Sequence, residues 1–265
     1  MKSDTIKLSN KLVLYQKMTN ESNKITWKLF LKKEGKETVE LDNEIIENNP
    51  VFGNDFTLYE PDLIDGFIDN NCLYAFVYKG RRLFLCEFEF IGQTTKFNKS
   101  SQAVTPVSLG SVDNFGGFNF AIQKYVIDKK KYFHLNYGRD VGGKSNVILV
   151  FINGKIKKLI FSESTQNIKD EKEIFKTLDL DKNSDKVSAE IKKALIENKY
   201  LKKEADFKYL GNIDITPFKE RGSRNLGGVI YFFYEVNNLS TNIVRYDCDD
   251  NEWLLGDYKE EDIKQ

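Results

Sequence analysis

Residues 138–145, GRDVGGKS, follow the phosphate-loop pattern G-x-x-x-x-G-K-[ST]. In such a loop glycine NH groups surround the phosphates, the lysine reaches the outer phosphates, and the chain continues directly into a helix. Here the following residues, NVILVFINGKIKKLIF (146–161), are rich in β-branched side chains and are interrupted by Asn153-Gly154, a pair typical of a type I′ turn. The pattern therefore predicts a loop between two antiparallel strands, and we do not expect a nucleotide site.

A second chemical pattern is the acidic stretch DLDKNSDKVSAE at 179–190. Oxygen-bearing side chains fall at its positions 1, 3, 5, 7 and 12: Asp179, Asp181, Asn183, Asp185 and Glu190. In length and in most of these positions the stretch resembles the calcium loop of the EF-hand family, and the resemblance implies a Ca²⁺ site closed by Glu190. Ser184 stands where that family has glycine, and Lys186 where it has Ile or Val. The alternative is a helix–helix connection in which Asp and Ser side chains cap the second helix.

Acid–base chemistry has few candidate residues. The chain has one histidine, His134, which lies in an alternating strand pattern and is expected to be a packed or surface side chain. Carboxylates recur at Asp62, Asp65 and Asp69, and at Glu87 with Glu89. A glycosidase needs two such groups facing one another across a cleft. The sequence leaves this enzyme hypothesis open, but favours a protein without catalytic residues.

Composition limits the class of protein. The 265 residues include 20 Phe and 13 Tyr, which is a globular composition. Forty basic and forty acidic residues cancel, so we expect no nucleic-acid partner. No apolar run of about 20 residues predicts a membrane helix, and no secretory signal is apparent, which predicts a cytoplasmic protein. The three separated cysteines, Cys72, Cys86 and Cys248, are expected to be reduced and buried.

Strand-like runs with short polar turns cover most of the chain and predict a mainly β fold of successive antiparallel meanders, either a small propeller or a sandwich. Four groups of strands are expected, near 12–42, 62–90, 116–161 and 207–258. In 83–90 the apolar residues Phe84, Cys86, Phe88 and Phe90 share one face, which predicts that this face lies in the core. We expect one β-rich domain spanning 1–265.

Residues 165–204 interrupt this pattern. Apolar residues there recur at helical spacing and predict two amphipathic helices inserted between the third and fourth groups: Ile174, Phe175, Leu178, Val187, Ile191, Ala194, Leu195 and Leu201. Because each helix has a single apolar stripe, the insertion is expected to be separable from the β core.

The sequence supports three hypotheses about function. The leading hypothesis is a non-catalytic intracellular protein-binding module, for example an inhibitor or immunity-type protein that acts by binding a partner protein. It requires no cofactor. The alternatives are a calcium-responsive binding protein that uses 179–190, and a glycosidase-like enzyme that uses an Asp/Glu pair.

Overall fold

The structure is a computed structural model that describes residues 5–21, 24–41, 62–70, 72–79, 82–91, 94–103, 118–139, 144–162, 166–216 and 228–263. These residues form antiparallel sheets with a small helical insertion, so the predicted mainly β fold of successive meanders is confirmed.

The first two sheets are simple meanders, in which each strand pairs with the next along the chain. The first sheet consists of β1 (Thr5–Ser9), β2 (Leu12–Glu21), β3 (Lys24–Lys33) and β4 (Val39–Glu40). The second sheet consists of β5 (Asp62–Asp69), β6 (Cys72–Lys79), β7 (Arg82–Ile91) and β8 (Thr94–Ala103).

The third and fourth sheets have five strands each, and the chain crosses between them. The third sheet contains β9 (Phe118–Ile127), β10 (Lys130–Arg139), β11 (Lys144–Ile152) and β12 (Lys155–Phe161). The fourth contains β13 (Gln166–Lys169), β14 (Phe207–Asp214), β15 (Val229–Val236), β16 (Thr241–Asp247) and β17 (Glu252–Leu255). The last strand, β18 (Tyr258–Asp262), returns to pair with β12 and extends the third sheet.

The sheets pack face to face in sequence order. One apolar cluster joins the first and second sheets through residues such as Leu14, Leu29 and Phe88. A second joins the second and third sheets, and a third joins the third and fourth sheets. In the described residues each sheet therefore packs on the next along the chain, and the second and third sheets are buried on both faces.

This stacking corrects the expectation for 83–90. Phe84, Cys86 and Phe88 pack against the first sheet, as the alternation predicted. Leu83 and Leu85, on the opposite face of β7, are equally buried because they pack against the third sheet. An interior sheet has two buried faces, so its strands carry apolar residues at consecutive positions.

Two helices cover the outer face of the fourth sheet: α1 (Ile174–Thr177) and α2 (Ser184–Glu197). The Asp170 carboxylate accepts hydrogen bonds from the backbone NH groups of Lys172 and Ile174, which organises the turn before α1. The same carboxylate accepts a hydrogen bond from the Tyr246 hydroxyl on β16 at 3.0 Å. The start of the helical segment is thereby tied to the fourth sheet.

The helices are part of the core. The Phe175 ring lies 4.9 Å from Tyr246, 5.0 Å from Phe232 and 5.2 Å from Trp253, centroid to centroid. Val187, Ile191 and Leu195 of α2 belong to the same buried cluster. Burial of each such side chain stabilises the fold by about 1.5–3 kcal/mol. The packing contradicts the expectation of a separable insertion, since removing the helices would expose the apolar face of the fourth sheet.

Some strands have no clear signal in the sequence. Strands β1, β8 and β13 were not expected, and the run near 252–258 divides into β17 and the first residue of β18. The sequences of β1, β8 and β13 are polar at most positions, and antiparallel pairing with β2, β7 and β17 establishes them as strands.

Candidate functional site

A groove of about 670 Å³ opens where the chain leaves the fourth sheet for the third. The start of β16, the end of α2 with the following turn, and β18 with the residues before it all contribute to its lining. We call it the tyrosine groove, because Tyr200, Tyr234 and Tyr258 line it together with residues of these elements. It has the volume expected of a binding cleft.

Contacts within the protein hold the rings of Tyr258 and Tyr234. The Tyr258 hydroxyl donates a hydrogen bond of 2.6 Å to the backbone carbonyl of Thr241. The Tyr234 ring stacks on Phe207, with centroids 5.3 Å apart. Burial, and then the neighbouring Tyr258 and Tyr200, raises the pKa of Tyr234 to about 12. The Tyr234 hydroxyl therefore stays protonated at neutral pH and can donate a hydrogen bond to a ligand, whereas the Tyr258 proton is already donated to Thr241.

The rim of the groove is apolar and exposed. Tyr200 is 48% exposed, and Leu239, the neighbour of the lining residue Ser240, is 70% exposed. Leu239 lies in the turn between β15 and β16, where Asn237 and Asn238 both adopt positive φ. Asparagine tolerates this conformation well, so the sequence favours a tight turn here. Hydrogen bonds in both directions between Asp206 and Asn237 fix the turn against the segment after α2.

Charged side chains line the groove on the β18 side: Asp257, Lys259 and Glu260. All three are exposed. Lys259 Nζ lies 2.5 Å from Glu261 Oε1 and is paired within the strand. In the part of the chain that the structure describes, Asp257 and Glu260 have no ion-pair partner, so this side of the groove is electronegative.

The histidine lies elsewhere, between the third and fourth sheets. His134 is 5% exposed; its Nδ1 lies 3.1 Å from Gln123 Oε1 and its Nε2 lies 2.9 Å from Asn146 Oδ1. Burial lowers the pKa of His134, and the Asn146 contact opposes this only in part. The Asn136 amide also donates to Asn146. The expected packed histidine is confirmed, and its neighbours in this network are neutral amides.

The candidate carboxylates on the second sheet pair with lysines. Asp65 lies 2.9 Å from Lys124 Nζ, and Asp69 pairs with Lys131, so both link the second sheet to the third. Glu87 is half-buried near the Tyr74 hydroxyl. The side chains of Asp62 and Glu89 lie outside the described residues. Asp65 and Asp69 thus serve inter-sheet contacts.

The acidic stretch is partly helical. Helix α2 begins at Ser184, so Asp185 and Glu190 are helical residues separated by more than one turn. The Asp179 carboxylate pairs with Lys182 Nζ at 3.0 Å, and this hydrogen bond lowers the pKa of Asp179. Asp181 is exposed. Glu190 lines a separate cleft of about 250 Å³ beside Lys193 and Trp253.

The expected capping of α2 also differs in detail. Asn183 is the N-cap residue, and its side chain donates to the Asp179 carbonyl instead of capping the helix. In the described residues no group of three or more His, Cys, Asp or Glu side chains is arranged to hold a metal ion. The structure therefore does not gather Asp179, Asp181, Asn183, Asp185 and Glu190 into one coordination shell, and calcium binding stays a prediction.

The phosphate-loop stretch is a hairpin, as the sequence predicts. Strands β10 and β11 pair antiparallel, with Gly138 opposite Lys144. Residues 140–143 lie outside the described residues. A strand follows the pattern where a phosphate loop requires a helix, so the N-terminal helix dipole that would bind phosphate is missing there.

Two of the three cysteines, Cys86 and Cys248, are buried as expected, whereas Cys72 is half-buried. None of the three forms a disulfide. Burial raises the pKa of the Cys86 thiol to about 12, which makes it unreactive at neutral pH.

Sequence reasoning missed the tyrosine groove. Its three tyrosines come from the turn after α2, from β15 and from β18, segments that no spacing connects. Comparisons with known protein families, with curated proteins and with solved structures find no match to this chain. Within the described ranges, no helix has the length and apolar character needed to cross a membrane.

Proposed function

We propose that this chain is a non-catalytic cytoplasmic protein-binding module that receives its partner protein in the tyrosine groove. An inhibitor or immunity-type protein, which acts by occupying its partner, is the form of this function to test first. The observation that carries the proposal is the open groove of about 670 Å³, with Tyr200 exposed in its lining and Leu239 exposed next to the lining residue Ser240. Tyrosine is enriched at the centres of protein interfaces.

Fixed aromatic rings support this reading. Tyr258 is held by its hydrogen bond to Thr241, and Tyr234 by its stack on Phe207. A partner that contacts rings already held in place loses less conformational entropy on binding. Asp65 and Asp69 on the second sheet pair with lysines, which favours a binding function over a glycosidase.

The test first uses the purified chain as bait in a lysate of the source cells. The captured protein is then purified, and its affinity for the chain is measured by calorimetry. We expect Tyr200→Ala and Leu239→Ser each to weaken binding of the purified partner by about tenfold or more, as for interface hot spots. Val126→Ser is the matched control, because Val126 is 73% exposed on β9, away from the groove. A partner bound equally well by the groove variants, or lost on Val126→Ser, would show that the groove is not the binding site.

A further inference from the structure

The charges and rings of the tyrosine groove indicate which chemistry it recognises. We propose that it takes an extended, basic segment of the partner, with a lysine or arginine side chain lying among the tyrosine rings and facing Asp257 and Glu260. This inference rests on the proposed function and adds the chemical class of the bound segment.

The first support is charge. Three charged residues line the groove, Asp257, Lys259 and Glu260. Lys259 pairs with Glu261, so its positive charge is compensated within β18. The two carboxylates at the groove have no such partner among the described residues. A cationic segment would supply their counter-charge, and an anionic segment would be repelled.

The second support is the aromatic lining. Three tyrosines face one cleft, and the face of an aromatic ring attracts a cation through its quadrupole. Lysine and arginine also carry long apolar stems that pack along ring surfaces while the charged end reaches a carboxylate. Rings and carboxylates therefore act on different parts of the same side chain.

The third support is shape. The first three residues of β18 line the groove, and among the described strands β18 is an edge strand that pairs with β12. An edge strand presents unpaired backbone groups, to which an extended segment can donate and from which it can accept hydrogen bonds. The acidic side chains of β18 discourage its pairing with a second copy of itself, because like charges would face one another.

The experiment measures fluorescence anisotropy of labelled peptides that alternate glycine with lysine or with glutamine. We expect saturable binding of the lysine peptide and weaker binding of the glutamine peptide. The double variant Asp257→Asn/Glu260→Gln should weaken lysine-peptide binding by about tenfold or more, and Tyr200→Ala should weaken it as well. Added salt should weaken wild-type binding. Glu37→Gln, an exposed carboxylate before β4, removes one negative charge elsewhere and should change binding by less than about twofold.

Equal binding of the two peptides, or a double variant that binds like the wild type, would overturn the inference. The two proposals separate in the assay with the purified partner. If Tyr200→Ala loses the partner but the double variant keeps it, the groove binds protein without selecting for basic residues. If both variants keep the partner, the groove is not the binding site and both proposals fail.

Discussion

The two faces of the third sheet differ in chemistry although the same strands form both. Toward the second sheet, Phe133 and Phe151 join Phe67 and Phe76 in an aromatic cluster, with ring centroids 5.0–6.1 Å apart. Toward the fourth sheet, the next residue along β10 is His134, which contacts Gln123 and Asn146. One face is packed mainly through aromatic rings and is also linked to the second sheet by the Asp65–Lys124 and Asp69–Lys131 ion pairs. The other face contains a buried histidine that contacts exposed amide side chains.

Neighbouring residues of one strand can therefore stabilise the fold by different mechanisms. Apolar packing depends little on pH, whereas a buried imidazole links stability to proton binding. Substitutions at the adjacent residues Phe133 and His134 therefore test these two effects separately.

The largest expected effect is that of Phe133→Ala. Phe133 is 1% exposed, and removing its ring should lower the free energy of unfolding by about 3–5 kcal/mol, because the missing ring leaves a cavity in the core. Urea denaturation at pH 7 and at pH 5 measures this loss, which should be the same at both pH values. Phe133→Leu is the control and should cost less. A loss that varies strongly with pH would mean that this face also depends on a titrating group.

A smaller effect concerns acid stability. Burial lowers the pKa of His134 below the unfolded value near 6.5, so in acid the unfolded chain binds the proton more readily than the folded chain. The contribution of His134 is therefore complete above about pH 6.5 and is lost as pH falls toward the folded pKa. We expect the free energy of unfolding to decrease from pH 7 to pH 5, and His134→Gln to remove part of that decrease.

The measurement is urea denaturation at several pH values, supported by NMR titration of the single histidine. An imidazole that titrates at or above its ordinary pKa would contradict the effect assigned to burial. If the free energy of unfolding of His134→Gln depends on pH as it does in the wild type, a different group causes the acid sensitivity.

The smallest expected effect is that of calcium, which acts on neither face of the third sheet. Full occupancy at a hundred times the dissociation constant would stabilise the fold by about 2.7 kcal/mol. Because α2 begins at Ser184 and Asp179 pairs with Lys182, we expect no rise in melting temperature at micromolar or millimolar calcium. A calcium-dependent rise that vanishes in Glu190→Gln would favour the calcium-responsive alternative over the protein-binding module.

Local sequence patterns determined the strands and hairpins. Asn153-Gly154 separates two β-branched runs, and the structure has a turn between β11 and β12 at that point, with both residues at positive φ. The hairpin at 138–145 followed from the β-branched residues after it. Such features depend on backbone preferences within a few residues, so the sequence alone carries them.

Tertiary structure decided which faces are buried and where a site can form. Alternation in 83–90 identified one buried face of β7, but only the stacking of the sheets buries Leu83 and Leu85 as well. The sequence predicted the apolar stripes of the two helices. Their packing over Phe232 and Trp253 depends on contacts between distant segments of the chain. The tyrosine groove arises because β18 returns to the third sheet beside the start of β16, a contact that no local preference specifies.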